Sequence, residues 1–446
     1  LRDDISFHDG EKLQADDVVF TTNLIQDPML KSPLRGSWNE VVVEEISDTE
    51  LNFVLPEPYV PFIENLTVGI LPKHLWERLS IEEIPFSQYN IEPIGTGWYQ
   101  IDSIERNEAG LVETYHLEAA TTETNVSTLD VQFFSNEAAL LTALVQERVD
   151  ATASLTPEAA NTLNLGDYRI VSAPLPRVFA VFLNQNRSAA LRDQAAREAL
   201  STAIDRQKLI DNVLGGFGIP TDSPVPNAFL ELESTSSVVD TSPLEQARTI
   251  LTAGGWIQTD DGRWIKTIDD VETELNIAIA TANSAVFAET AATLEEMWSN
   301  LGVVVSVAQY EQSDLVQTII RPRDYQALLF GTDIGRFVDI YPFWHSSQRT
   351  DPGLNVALYT NISTDANLEK SRSEQDPATR TALIMDSARE ITEETPAIFL
   401  FNPAALYVVR NNLETVPVAQ IGRISQRFSS INEWYTNEEK LWPLFR

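Results

Sequence analysis

The sequence predicts an α/β protein whose largely parallel sheet is covered by helices, with chain enough for more than one lobe. Two observations carry this. Strand-like and helix-like patterns alternate between residues 274 and 332, and a β-α-β-α-β succession favours parallel strands with helices on their faces. The chain is also 446 residues long and 43% apolar. That supplies a packed core, disfavours disorder, and leaves room for two or three domains or one large two-lobed body.

LRDDISFHDGEKLQADDVVF (1–20) reads as a strand at Phe7, a tight turn at His8-Asp9-Gly10 and a helix started by Asp16 or Asp17, since Asp is a preferred N-terminal cap. VVVEEISDTELNFVL (41–55) alternates apolar and polar residues around Ser47-Asp48, which predicts two strands about a turn. PEPYVPF (56–62) is proline-rich and leaves the sheet. ILPKHLWERL (70–79) is a short helix behind a proline. EPIGTGWYQIDSIE (92–105) runs from a glycine turn into a strand, and a hairpin follows with its turn near Asn107 to Gly110.

Residues 128–155 read as strand, helix, strand, with Leu140, Leu141, Leu144 and Val145 on one helix face. RVFAVFLNQN (177–186) is a strongly apolar strand, and 192–216 reads as one long helical region ended by Gly215-Gly216. A helix over 243–256 stops at Gly254-Gly255, and a strand covers 274–281. The 285–302 helix carries Phe287, Ala291, Leu294, Trp298 and Leu301 in one stripe; strands follow at 303–310 and 325–332, separated by a helix at 314–320. An amphipathic helix covers 378–395, and two apolar segments flank Pro403. ELESTSSVVDTS (231–242), the most polar stretch, reads as a surface loop.

The formal charge is -35, from 31 Lys+Arg against 66 Asp+Glu. Nucleic acid is therefore a poor partner, because binding it needs a basic footprint that releases counterions. An anionic membrane surface is disfavoured for the same reason. The acidity fits plain solubility or, with Arg far outnumbering Lys, a salty habitat. There is no Cys, which removes thiol nucleophiles, thiolate-bound zinc and disulfides. No apolar run approaches the roughly 18 residues that span a bilayer. Leu1-Arg2 follows no initiator Met and no charged or apolar leader, so the natural N-terminus is expected to be missing.

No catalytic constellation stands out. His8, His74, His116 and His345 form no HExxH or HxH pattern. His8 beside Asp9 reads as a turn residue, with metal ligation the lesser alternative. The glycines of GTG (95–97) belong to no phosphate loop, and no GxSxG elbow is present. Carboxylate pairs such as Glu295-Glu296 abound in so acidic a chain and carry no acid/base signal alone. A binding module is favoured over an enzyme, and neither cofactor nor metal is expected.

Several stretches, in order along nearly the whole chain, resemble one family: the extracytoplasmic solute-binding proteins of family 5, the peptide/nickel type that serve ABC importers. They are 1–21, ILPKH (70–74), EPIGTGWY (92–99), LVQERVDAT (144–152), 179–216, ARTILTAGGW (247–256) and DIGRFVDIYPFWHSSQRTDPGLNVALYTN (333–361). Trp98 stands where the family usually has Pro, Glu92 where it has Asn, and Glu147-Arg148 where Gly-Glu is common.

The resemblance implies a two-lobed, type II periplasmic-binding-protein-like fold with a hinge and an inserted extra domain. Residues 1–95 would form the extra domain with its start missing, 96–191 plus 404–446 the hinge-proximal lobe, and 192–403 the distal lobe. The crossings would lie near 182–186 and 399–405, where Asn184 and Asn402 would bond hinge backbone. It also implies capture of an oligopeptide-like ligand by hinge closure and delivery to ABC permease subunits. The protein would be a monomer in the periplasm or a cell-surface lipoprotein. An oligosaccharide or metal chelate is the alternative ligand, a sensor the alternative recipient, and a secreted carboxylate-dependent hydrolase the alternative class. On this template Asp339 would pair with the ligand's α-ammonium or else cap the turn before Tyr341. Phe337, Tyr341 and Trp344 would stack on ligand or else pack in the core, and Trp98 and Tyr99 would face the cleft from the opposite side.

Overall fold

The computed structural model describes residues 1–163, 166–226, 242–415 and 421–436. The polar loop expected at 231–242 lies, apart from Ser242, outside the described residues.

The first long element is the helix Ala15–Gln26. Its cap is Gln14; Asp17 sits one turn in and reaches back to accept from the Gln14 N–H at 2.9 Å. Asp17 is buried because its other oxygen accepts from the Lys73 N–H at 2.8 Å, so it starts two helices at once. The expected hairpin is present as β1 (Val42–Ser47) and β2 (Glu50–Val54), antiparallel. Ile25, Trp38, Val41 and Phe62 close the core beneath it.

A second small sheet follows: β3 (Tyr99–Arg106), β4 (Val112–Ala119) and β5 (Thr128–Gln132), all antiparallel. The helix Glu137–Val145, β6 (Ala151–Thr152), the helix Pro157–Thr162 and β7 (Tyr168–Pro174) follow. The chain then crosses into β8 (Arg177–Leu183), three short helices and β9 (Gly218–Pro220). The region expected as one long helix breaks at Asp193 and Asp205. Each side chain caps the next helix, accepting from Ala196 N–H at 3.1 Å and Lys208 N–H at 3.0 Å. Two aspartates that compete for backbone N–H groups interrupt a pattern that is helical in its apolar spacing alone.

The chain continues with a small sheet of β10 (Ile257–Gln258), β11 (Trp264–Ile268) and β12 (Val271–Glu274), and then β13 (Asn276–Ala282), the helix Ala285–Leu301, β14 (Val304–Tyr310) and β15 (Ala327–Asp333). Helices Ile362–Ser373 and Pro377–Glu394 lead into the 14-residue β16 (Ala397–Arg410). The main sheet runs β14-β13-β15-β8-β16-β6, with β7 and β9 also paired to β16. It is mixed, not mostly parallel. β13 is parallel to β14 and β15, whereas β8 is antiparallel to both its neighbours, because it enters from the hinge. Period-two alternation sorts its side chains: Val181 and Leu183 face the core under the 285–301 helix, while Val178, Ala180 and Phe182 face the core under the last two helices.

β16 is the strand that joins the lobes. Residues 397–401 pair with β8, and 404–410 pair with β7. β7 runs into β8 through Pro174-Leu175-Pro176, and β16 changes partner at 401–404. Residues 182–186, expected at a crossing, lie at the far end of β8. Asn402 is buried where β16 changes partner and donates to the Arg177 carbonyl at 2.8 Å, tying β16 to β8. Asn184 is buried too, but it donates to the Arg323 carbonyl at 3.1 Å and holds the end of β8, away from that point.

Candidate functional site

Three of the resembling motifs meet one another. His8 lies 3.0 Å from the Gly97 carbonyl through Nε2, and its backbone N–H donates to the Gly95 carbonyl at 2.9 Å. Asp9 lies 2.7 Å from His74 Nε2, and Lys73 pairs with Asp16. Burial works against the Asp9 charge, but the His74 contact and the Glu11 N–H outweigh it and hold the carboxyl below its usual range. The His8-Asp9 pair therefore pins a turn to the glycine loop.

The loop after β15 sits at the carboxyl end of a strand, where ligands bind on open α/β sheets. The Ile334 N–H donates to the Pro176 carbonyl at 2.9 Å, which anchors the loop to the hinge. Val338 is held at φ 34°, a left-handed conformation that costs a β-branched residue energy. That strained step presents Asp339. One oxygen, Oδ1, accepts from the Tyr341 N–H at 3.1 Å and shapes the turn. The other, Oδ2, accepts from Arg372 Nε and from the Tyr59 hydroxyl, each at 3.1 Å. The carboxylate thus caps its turn and pairs with a cation of the chain itself.

Arg372 stands in the last turn of the 362–373 helix. Its guanidinium lies between two rings, 4.7 Å from the Tyr59 centroid and 4.3 Å from that of Tyr341. Tyr341 stacks in turn on the buried His345 at 4.2 Å. The Ser347 N–H donates to His345 Nδ1 at 3.1 Å, and His345 Nε2 lies 3.2 Å from Glu369. Tyr59, Arg372, Tyr341 and His345 thus follow one another in contact. Burial first, and the Asp339 charge second, push the Tyr59 phenol up to about 12. Glu64, from the same segment as Tyr59, packs against Gly335; burial raises its carboxyl, although Arg336 and the backbone N–H groups of Phe337 and Arg336 oppose the rise.

Of the residues expected here, Asp339 and Tyr341 come together. Phe337 is on the same loop but lies under the Arg380 guanidinium, 3.9 Å from its ring centroid. Trp344 is 2% exposed and packs on Phe182, Phe399 and Tyr359; it supports the loop from behind. Trp98 and Tyr99 join a different apolar cluster with Tyr407, Val409 and Trp434, and the Tyr99 hydroxyl donates to the Val126 carbonyl at 2.8 Å. Sequence reasoning missed Tyr59, Glu64 and Arg372. An aromatic residue between prolines on a segment that leaves its sheet is the one signal that pointed to Tyr59.

The sequence profile of the bacterial extracellular solute-binding proteins, family 5, matches residues 1–353. The chain belongs to this family. Its members are solute-binding receptors, not enzymes, and are extracytoplasmic. The oligopeptide-binding protein AppA of Bacillus subtilis is 26% identical over 441 residues, which is 93% of this chain and 76% of that protein. Its structure with a nonapeptide superposes with a TM-score of 0.67 at 23% identity, covering 98% of this chain and 86% of that one. NikZ of Campylobacter jejuni, solved with a nickel–L-histidine complex, gives 0.70 at 22% identity, covering 98% and 87%. An ABC transporter substrate-binding protein of Listeria monocytogenes gives 0.76 at 22% identity, with the same coverage. These structures share the two-lobed α/β fold. Among the described residues no helix is long and apolar enough to cross a membrane.

Proposed function

We propose that the protein is the receptor of an ABC importer, and that it captures an oligopeptide-like ligand between its lobes by hinge closure and hands it to the membrane permease. It acts as a monomer, in the periplasm or anchored at the cell surface as a lipoprotein. The observation that carries the peptide reading is the site at Asp339. A largely buried carboxylate holds a cation that lies over the Tyr59 and Tyr341 rings, and Arg372 occupies that position. A ligand's α-ammonium meets the same needs, since a buried cation requires a charged partner and gains from aromatic faces. The hinge reading is supported by β16, one strand shared by both lobes, and by the Asn402–Arg177 tie at its midpoint. Closure follows only if the ligand binds the closed form better than the open one.

The test is a thermal-shift and calorimetric screen with peptides of three to nine residues, oligosaccharides and a nickel–histidine complex. A ligand at a hundredfold excess over its Kd stabilises the native state by about 2.7 kcal/mol. Stabilisation by peptides without turnover supports the proposal. Stabilisation by the sugars or the chelate alone would overturn the peptide assignment while leaving a receptor.

A further inference from the structure

We infer that Arg372 is a resident counter-cation that a ligand's ammonium must displace from Asp339. The inference rests on the peptide reading above and specifies how that site discriminates.

Four observations carry it. The Asp339 carboxylate is nearly closed to solvent, its side chain 13% exposed, and both oxygens are already used. Oδ1 keeps a lone pair to spare, but so little of the carboxylate is exposed that a ligand cation reaches it only where a covering partner leaves. Tyr341 N–H is fixed by the turn, so the removable partners are Arg372 and Tyr59. The Arg372 contact is made through Nε, not through the two-nitrogen fork that gives the strongest carboxylate pairs. It is therefore replaceable. Arg372 also lies in the last turn of its helix, where the carbonyl ends favour a cation and retain it close by when it swings away. Finally, the same oxygen that holds Arg372 holds the Tyr59 hydroxyl, and the guanidinium bridges the Tyr59 and Tyr341 rings. Displacing Arg372 therefore also removes its contacts with both rings.

The consequence is a selectivity filter. The site is competent for an ammonium only in the fraction of molecules whose Arg372 has left, so apparent affinity is lowered by that fraction. A ligand that cannot pair with Asp339, such as an N-acetylated peptide, gains nothing from the release.

The test is titration calorimetry with pentaalanine and N-acetyl-pentaalanine on wild type, Arg372→Met, Asp339→Asn and the double variant. Each variant is first checked for wild-type circular dichroism. Arg372→Met is expected to bind pentaalanine about tenfold tighter than wild type, to leave the acetylated peptide unchanged, and to lose the gain when Asp339→Asn is added. Arg372→Lys restores a cation and should return affinity toward wild type. Tyr59→Phe offers a second route to uncovering the carboxylate and should move affinity in the same direction. If wild type binds pentaalanine but Arg372→Met binds it no tighter, the exchange is refuted and the receptor stands. If neither binds any peptide, the peptide reading fails and the exchange falls with it.

Discussion

Replacing Asp339 by Asn keeps the shape of the carboxyl group and removes its charge, which makes Tyr59 a reporter of the site. In the native protein the phenol is pushed up to about 12, first by burial and then by the Asp339 charge beside it, while Arg372 pulls it down. Two unit charges 4 Å apart interact by about 4 kcal/mol at an effective dielectric of about 20. Partial exposure screens that figure, and burial is unchanged by the substitution. The phenol should therefore fall by about one pH unit, not return fully to the value of a free tyrosine. The assay is a pH titration of ζ-13C tyrosine resonances between about pH 8 and pH 12.5, with Tyr59→Phe to assign the signal. Tyr325 and Tyr359 are internal controls: burial is the largest cause of their raised pKa values, and Asp339 is not among the causes. A Tyr59 resonance that keeps its midpoint in Asp339→Asn, or moves upward, would refute the contact and the exchange built on it.

Three further outcomes are expected. Gly302 ends the 285–301 helix at φ +95°, and a Cβ there would lie 2.1 Å from the Gly262 carbonyl oxygen; Gly302→Ala should cost about 2–5 kcal/mol from strain and backbone displacement, read as a lower Tm by calorimetry. Asp193 pairs with Lys266, accepts from Trp256 Nε1 and caps a helix; burial opposes its charge, but the Lys266 and Trp256 contacts prevail and its pKa is lowered. Its contribution, about 2 kcal/mol, is present above the ordinary Asp pKa and lost as pH falls through the lowered one, so the stability gap between wild type and Asp193→Asn in urea should be full at pH 7 and close below about pH 4. Trp344→Ala should lower stability by about 3–5 kcal/mol as a core truncation, and a variant of unchanged Tm would move Trp344 from the core to the cleft.

How legible this was in the sequence depended on the range of the contacts. The 274–332 alternation and the 285–301 stripe were readable because each element's apolar period is local; Ala291, Leu294, Trp298 and Leu301 are all buried. The passage from β7 into β8 was not, because the apolar run 177–186 hid the break at Pro174-Leu175-Pro176 before it. β16 read as two segments because proline usually ends a central strand. It continues through Pro403, which pairs with Gly218 on the short β9 just where β16 changes partner from β8 to β7. Asp339 and Tyr341 were put forward through a family resemblance. Tyr59 and Arg372 were not, since the Tyr59–Asp339 contact joins residues 280 positions apart and only tertiary structure brings them together.

The central claim is that two lobes sharing β16 close on a peptide. It is tested most directly by small-angle X-ray scattering of the purified protein, with and without a saturating pool of free-amine peptides of three to nine residues. The account predicts a smaller radius of gyration with the peptides and no contraction with their N-acetylated counterparts. Peptide binding proven by calorimetry with an unchanged radius of gyration would contradict it.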